Sequence, residues 1–272
     1  MAGIKKDRVR KHIRDRYAGI AKSAGTCGCG SGCCQPDALL NPDASAQIGY
    51  SMEDLAAVPE GANMGLGCGN PQAVANLKSG ETVVDLGCGG GFDCFLAARR
   101  VGKKGRVIGV DMTPEMIHKA RENAEKGRIS NVDFRLGEIE HLPVADGIAD
   151  VILSNCVINL SPDKPQVYAE AARVLKPGGR LAISDVVAIA PIPAKVKKCL
   201  QAHSGCIAGS ATVAETEHML KKAGLAKIRI AVKEQSREFI KDWFPGSGAE
   251  QYVRSATIEA IKRGSGHERR KA

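Results

Sequence analysis

The sequence predicts an α/β fold, a mostly parallel sheet flanked by helices, with a cysteine-rich segment before it and a short extension after it. Three observations predict it. Between residues 82 and 187, apolar runs of strand length alternate with amphipathic stretches of helix length, the rhythm of successive βα units. A glycine-rich turn, residues 87–91, joins the first run to the first helix. Lys176-Pro-Gly-Gly179 then breaks the chain between a helix and a further apolar run, as Pro and Gly do at a boundary.

Along the chain, Val9, Ile13, Tyr17 and Ile20 recur at spacings of four, four and three. They share one face of an amphipathic helix that should pack on the main domain. Residues 23–34 hold Cys27, Cys29, Cys33 and Cys34 among glycines, which predicts a mobile, thiol-bearing loop. Residues 51–55 read as a short helix, 59–71 as a glycine-rich loop, and 71–77 as a helix opening on Pro71. Strands are expected at 82–86, 106–111, 132–136, 149–154 and 180–187. Helices are expected at 92–101, at 114–126 with Thr113 as cap, and at 166–175. Beyond Pro193 come a helix from 194 to about 203, a loop at 205–209, a helix at 214–222 and a strand at 226–232. A last helix is expected near 250–262, before a basic tail.

The chain has 272 residues, 43% hydrophobic and 25% charged, which suits a globular protein. Aromatics are scarce, so packing must lean on Val, Ile, Leu and Ala. No apolar run approaches the ~20 residues of a membrane helix, and the N-terminus lacks the apolar centre of a signal peptide. A cytoplasmic monomer is expected, with no membrane partner. The net charge of +9 gathers near both ends and comes with no recognition motif, so no nucleic-acid partner is expected either. Ten cysteines in a reducing compartment point to metal binding or thiol chemistry.

The turn after the first strand reads Asp85-Leu-Gly87-Cys-Gly89-Gly-Gly91, and the second strand ends in Asp111. Glycines let a ligand approach the backbone, and an acid at the second strand end can take both hydroxyls of a ribose. Asp85, ahead of the glycines, would repel a pyrophosphate but favour an ammonium or a sulfonium. With Val110-Asp-Met112, Gly137-Glu138 and Leu175-Lys-Pro-Gly-Gly-Arg-Leu181, the set resembles the motifs of class I methyltransferases, which have a Rossmann-like fold. The resemblance covers about residues 70–190. It implies that Asp85, Gly87 and Gly89 line the methionine and ribose side of S-adenosylmethionine and that Asp111 binds the ribose. It also implies that Met112 packs on adenine, that Gly137 and Glu138 border the adenine edge, and that Asn155 lies near the methionine part.

Cys68, Cys156 and Cys206 fall in loops that such a fold can bring to the carboxyl edge of its sheet. Soft thiolates select soft, thiophilic centres. Three of them without a fourth ligand suit trigonal pyramidal As(III), whose lone pair can attack a sulfonium methyl. Zinc would call for a fourth ligand or a bound water. Around these residues, Gly65-Leu-Gly-Cys-Gly-Asn-Pro71, Gly91-Phe-Asp-Cys-Phe95, Ser154-Asn-Cys-Val-Ile-Asn-Leu160 and Gly205-Cys-Ile-Ala-Gly209 resemble arsenite methyltransferases over most of residues 8–230. The resemblance implies As(III) bound by Cys68, Cys156 and Cys206. It further implies a disulfide between Cys68 and an N-terminal cysteine, Cys33 or Cys34, during the cycle, with thioredoxin or glutathione as the thiol reductant. Cys27 and Cys29 either pre-bind arsenic or share the redox duty. Cys94 and Cys199 read as small buried residues, and Cys88 as a bystander in the cofactor loop.

The implied organisation is an N-terminal helix and cysteine-rich segment over 1–64, an S-adenosylmethionine-binding domain with the arsenic loops over 65–235, and a C-terminal helix and basic tail over 236–272. The expected activity is methylation of trivalent arsenic, a detoxifying reaction. Two rivals stand beside it. One is methylation of a carbon or oxygen on a small molecule, which needs an acid–base residue and has only His203 to offer. The other is a thiol metal sensor without turnover.

Overall fold

The computed structural model describes residues 2–23, 44–243 and 247–264. In chain order the helices and strands are α1 (Ala2–Ser23), α2 (Ala44–Gln47), α3 (Met52–Ala56), α4 (Gln72–Ala75), β1 (Thr82–Leu86), α5 (Phe92–Val101), β2 (Arg106–Asp111), α6 (Pro114–Lys126) and β3 (Val132–Leu136). They continue with β4 (Ala149–Asn155), α7 (Lys164–Val174), β5 (Leu175–Ala188), α8 (Ala194–Lys197), α9 (Leu200–Ser204), α10 (Val213–Lys222), β6 (Leu225–Lys233), α11 (Arg237–Ile240) and β7 (Val253–Lys262).

One sheet runs in the order β3-β2-β1-β4-β5-β7-β6. β1 pairs in parallel with β2 and β4, β2 with β3, and β4 with β5. β7 lies antiparallel between β5 and β6. Strand order reverses between β1 and β4, where open α/β sheets leave a crevice beyond the strand ends. Alternate residues feed two core layers. Val84, Leu86, Ile108 and Ile152 pack with Tyr168 of α7 and Leu220 of α10. Val83, Val107 and Val151 pack with Phe95 of α5 and Ile117 of α6.

α1 forms where the apolar spacing predicts it. Ile13 and Ile20 are buried, and the helix lies against α6 and α9. No helix among the described residues is long and apolar enough to cross a membrane. Several expectations are corrected. The helix expected near 250–262 is strand β7, paired on both sides. Its Glu, Ala and Lys read as helix formers, but Val253, Thr257, Ile258 and Ile261 suit a buried strand, and sheet pairing overrides propensity. The main sheet therefore extends into the region assigned to a C-terminal helix and tail. The helix at 71–77 is only one turn, closed by left-handed Asn76. The helix at 194–203 is two short pieces. Thr113 stands at the N-cap of α6, yet its side chain makes no cap hydrogen bond; its N–H donates to Asp111 instead.

Candidate active site

The crevice beyond β1, β2 and β4 holds a pocket lined by Asp85, Gly87, Gly89, Asp111, Met112, Asn155 and Cys156, among others. Gly87 has φ +69°, and a Cβ there would collide with the Val157 side chain, so the turn requires glycine. Gly89 N–H and Thr113 N–H donate to the two Asp111 carboxylate oxygens at 3.0 and 2.8 Å. Asp111 thereby fixes the glycine turn as well as facing the pocket. Burial raises its pKa, against the pull of those backbone N–H groups.

Asp85, the penultimate residue of β1, is buried, and its Oδ2 accepts the Cys94 thiol at 3.2 Å. Burial and then the neighbouring Asp93 charge raise its pKa well above the carboxylate range. Asp93, in the first turn of α5, accepts from the Tyr50 hydroxyl at 2.8 Å, and from Gln72 and Asn155. Its pKa is raised by burial despite these donors. Asn155 Nδ2 also donates to the Gly69 carbonyl at 2.9 Å, while its Oδ1 accepts the Cys68 N–H at 3.1 Å. Asn155 thus ties the Cys68 loop to the pocket. Asp93 and Tyr50 line this pocket too, and sequence reasoning missed both. The signal for Asp93 was an acid in the first turn of the helix opened by the glycine turn.

Gly137 and Glu138 are not among the lining residues; Ile139 and Glu140 are. Gly137 N–H donates to the Asp111 carbonyl. Glu138 points to Arg10 of α1 at 3.3 Å, and Glu140 pairs with the same arginine at 3.2 Å. α1 closes the pocket with Arg10, Ile13 and Tyr17, a role that its apolar stripe did not disclose. Charged lining residues are Asp85, Asp93, Asp111 and Glu140 against Arg10. That balance, with a buried Asp85 and a half-buried Asp111 at two adjacent strand ends, fits a ligand that carries positive charge and vicinal hydroxyls.

Cys68, Cys156 and Cys206 converge in one buried cluster with Ile13, Leu160 and Ile207. The Cys68 and Cys156 sulfurs and an Asp185 carboxylate oxygen lie within 4.8 Å of one another. Cys206 Sγ stands outside that trio and donates to the Cys156 carbonyl at 3.0 Å. Hydrogen bonds that its own thiol donates to Cys206 and Cys68, and then burial, push the Cys156 pKa well up. Burial raises that of Cys68. Both shifts favour the neutral thiol of Cys156 and Cys68 over the thiolate. Asp185, also missed, is a buried acid in β5. It accepts from Ile158 N–H at 3.0 Å, Asn159 Nδ2 at 2.8 Å and Val186 N–H at 2.7 Å, and so pins the turn that follows Cys156. Burial pushes its pKa up to about 6.

Cys88 lines the pocket, Cys94 is buried behind Asp85, and Cys199 is half-buried. Cys27, Cys29, Cys33 and Cys34 lie outside the described residues. His203 touches the Leu160 carbonyl at 3.2 Å and is not among the residues lining the pocket.

Fold and pocket define the class, an S-adenosylmethionine-dependent methyltransferase, and residues 77–224 match the family model described as a methyltransferase domain. An arsenite methyltransferase of Halobacterium salinarum is 51% identical over 265 residues, 94% of this chain and 67% of that protein. One from Mus musculus is 32% identical over 241 residues, 84% of this chain and 61% of that protein. A crystal structure of an arsenic(III) S-adenosylmethionine methyltransferase from Chlamydomonas reinhardtii superposes with a TM-score of 0.60 at 30% identity, covering 83% of this chain and 75% of that one. The chain belongs to the arsenite methyltransferase family. It spans about three-fifths of the Mus musculus relative's length.

Proposed function

We propose that this protein transfers the methyl group of S-adenosylmethionine to As(III) held by Cys68, Cys156 and Cys206. The observation that carries this reading is the double position of Cys156. It lines the crevice pocket and also belongs to the hydrogen-bonded thiol cluster. An ion on that sulfur lies beside whatever fills the pocket.

Bound S-adenosylmethionine supplies an electrophilic methyl on a sulfonium. Asp85 and Asp93 favour its positive charges, Asp111 takes the ribose hydroxyls, and Met112 packs on the base. Asn155 orients the methionine end, while Gly137 and Glu138 act one layer behind the pocket wall. The thiols need no separate base to load arsenite. Each thiol proton leaves with a displaced hydroxide as water, so neutral thiols remain competent. Loading requires the Cys206 thiol to give up the Cys156 carbonyl. The arsenic lone pair then attacks the methyl in line with the departing sulfur, and positioning does most of the work. Methylation formally takes As(III) to As(V). Two electrons return it to the trivalent state as Cys68 pairs with Cys33 or Cys34, and a thiol reductant, thioredoxin or glutathione, reopens that disulfide. The product methylarsenicals serve arsenic detoxification.

The test is methyl transfer from labelled S-adenosylmethionine to arsenite with excess thiol, wild type beside Cys156→Ser and Cys206→Ser. Misplacing reactants by an ångström already costs ~10²-fold, so each variant should lose at least about that much. A wild type that ignores arsenite and methylates a small carbon or oxygen nucleophile would overturn the reading.

A further inference from the structure

Two neighbouring thiols have no part in the methyl transfer proposed above. Cys88 sits in the glycine turn after β1 and lines the donor pocket. Cys94 lies in the first turn of α5, wholly buried. Its thiol is within hydrogen-bonding reach of Cys88 and lies 3.2 Å from Asp85 Oδ2. The two sulfurs share a recess over β2. That strand reads Arg106-Val-Ile-Gly-Val-Asp111 and is paired on both sides. A Cβ on Gly109 would stand 2.8 Å from Cys94 Sγ and 2.9 Å from Cys88 Sγ. Glycine weakens the interior of a strand and marks a close approach. Here the approaching groups are the two sulfurs, and the sheet makes room for them.

Two thiols placed side by side select a soft centre with two exchangeable ligands, since the second bond forms intramolecularly once the first has closed. Arsenite, with three exchangeable ligands, suits the three acceptor thiols. A monosubstituted trivalent arsenical, with one carbon and two hydroxides on arsenic, suits a pair. Such a species is what a first methylation yields once its arsenic is trivalent again.

We propose that Cys88 and Cys94 form a second thiophilic site, which takes monosubstituted trivalent arsenicals and thereby closes the donor pocket to the methyl donor. The site stands on the geometry of the pair; that its natural ligand is the reaction's own product rests on the arsenic reading above. Two arsenic–oxygen bonds break, two arsenic–sulfur bonds form, and each thiol proton leaves with a hydroxide as water. Arsenic stays trivalent. Cys88 is met first, from the pocket, and Cys94 must turn from Asp85 to complete the chelate. Gly87 and Gly89 flank Cys88 and line the same pocket, so the bound arsenical occupies space that the donor needs. The consequence is product inhibition competitive with S-adenosylmethionine, released when a free dithiol strips the arsenical away.

The experiment reads the Kd of S-adenosylhomocysteine by calorimetry, with and without phenylarsine oxide, whose arsenic takes two thiols. Each variant is compared with itself, so effects on folding or on cofactor affinity cancel. In wild type and in Cys156→Ser, phenylarsine oxide at about ten times its own Kd should raise the apparent value about tenfold. Cys88→Ser and Cys94→Ala each leave one thiol of the pair and should remove most of that shift. In wild type, 2,3-dimercaptopropanol should reverse it. No shift in wild type, or an equal shift in wild type and Cys88→Ser, overturns the site. A shift lost in Cys156→Ser and kept in Cys88→Ser belongs to the acceptor thiols and overturns it too. Because no methyl is transferred in this titration, failure of the arsenic reading leaves its outcome unchanged.

Discussion

Cys156 and Cys206 have φ angles of +57° and +61°. A side chain costs roughly 1–2 kcal/mol in that left-handed region, and such strain gathers at functional sites. Glycine would fit both backbones better, yet both positions carry sulfur. This separates the two properties of the site. Cys206→Gly and Cys206→Ala both remove the thiol, but only glycine also removes the Cβ. Cys206→Gly should be the more stable of the two by about 1 kcal/mol, with neither able to methylate arsenite. Urea unfolding midpoints check it, and an alanine variant as stable as the glycine one would sink the strain argument. At this scale much of the site was legible. The thiols and the acids at the ends of β1 and β2 have recognisable settings. Asp93, Tyr50 and Asp185 had none, because their meaning comes from contacts that residue spacing does not encode. Tyr50 reaches Asp93 across forty-three positions, and Asp185 pins the 158–159 turn from another strand.

Among the elements, α1 closes the pocket through side chains alone. Its four-four-three stripe was readable, but its destination was not. Ile13 enters the thiol cluster, Ile20 packs on Met64 and Met116, and Tyr17 touches both groups. Lys6–Asp163, Arg10–Glu140 and Lys22–Glu115 pairs hold the helix at three points along its length. The partly exposed Lys6 and Lys22 pairs contribute little each, and the largely buried Arg10–Glu140 pair offsets its own desolvation, so the apolar face must supply most of the docking energy. Ile13→Ala should weaken docking by about 2 kcal/mol, the low end for a buried isoleucine. The loss should be local. Amides of α1 should exchange about tenfold faster or more while those of β1 and β4 keep their protection, and KM for S-adenosylmethionine should rise. Equal loss of protection across the sheet would show that α1 is part of the global folding unit instead. β7 shows the opposite failure of legibility. Its burial over six consecutive residues, 253–258, erased the period-two alternation by which half-exposed strands are recognised.

Across the whole molecule, the two ends of the sheet treat acids in opposite ways. Where β1, β4 and β5 begin, burial would raise the pKa values of Glu81 and Asp150, but Arg180 and Lys176 outweigh it and both are lowered. Their stabilisation is present above the ordinary carboxylate range and is lost as pH falls through their depressed values. At the pocket end, burial raises Asp85, Asp93 and Asp111. Those acids favour folding while protonated, below the ordinary range, and that contribution disappears as pH rises through their raised values. The ionised pocket is thus strained when empty, and a cation in it relieves the strain. S-adenosylmethionine and S-adenosylhomocysteine share every group except the methyl and its sulfonium charge. Their affinity ratio should therefore rise several-fold between a pH at the ordinary carboxylate range and a pH well above it, since each acid that ionises favours the sulfonium over the neutral sulfide. Calorimetric titration of both ligands at the two pH values reads the ratio directly. A constant ratio would mean that these acids either stay protonated throughout or lie too far from the sulfur to sense its charge, and the proposed role of Asp85 and Asp93 in favouring the methyl donor would have to be abandoned.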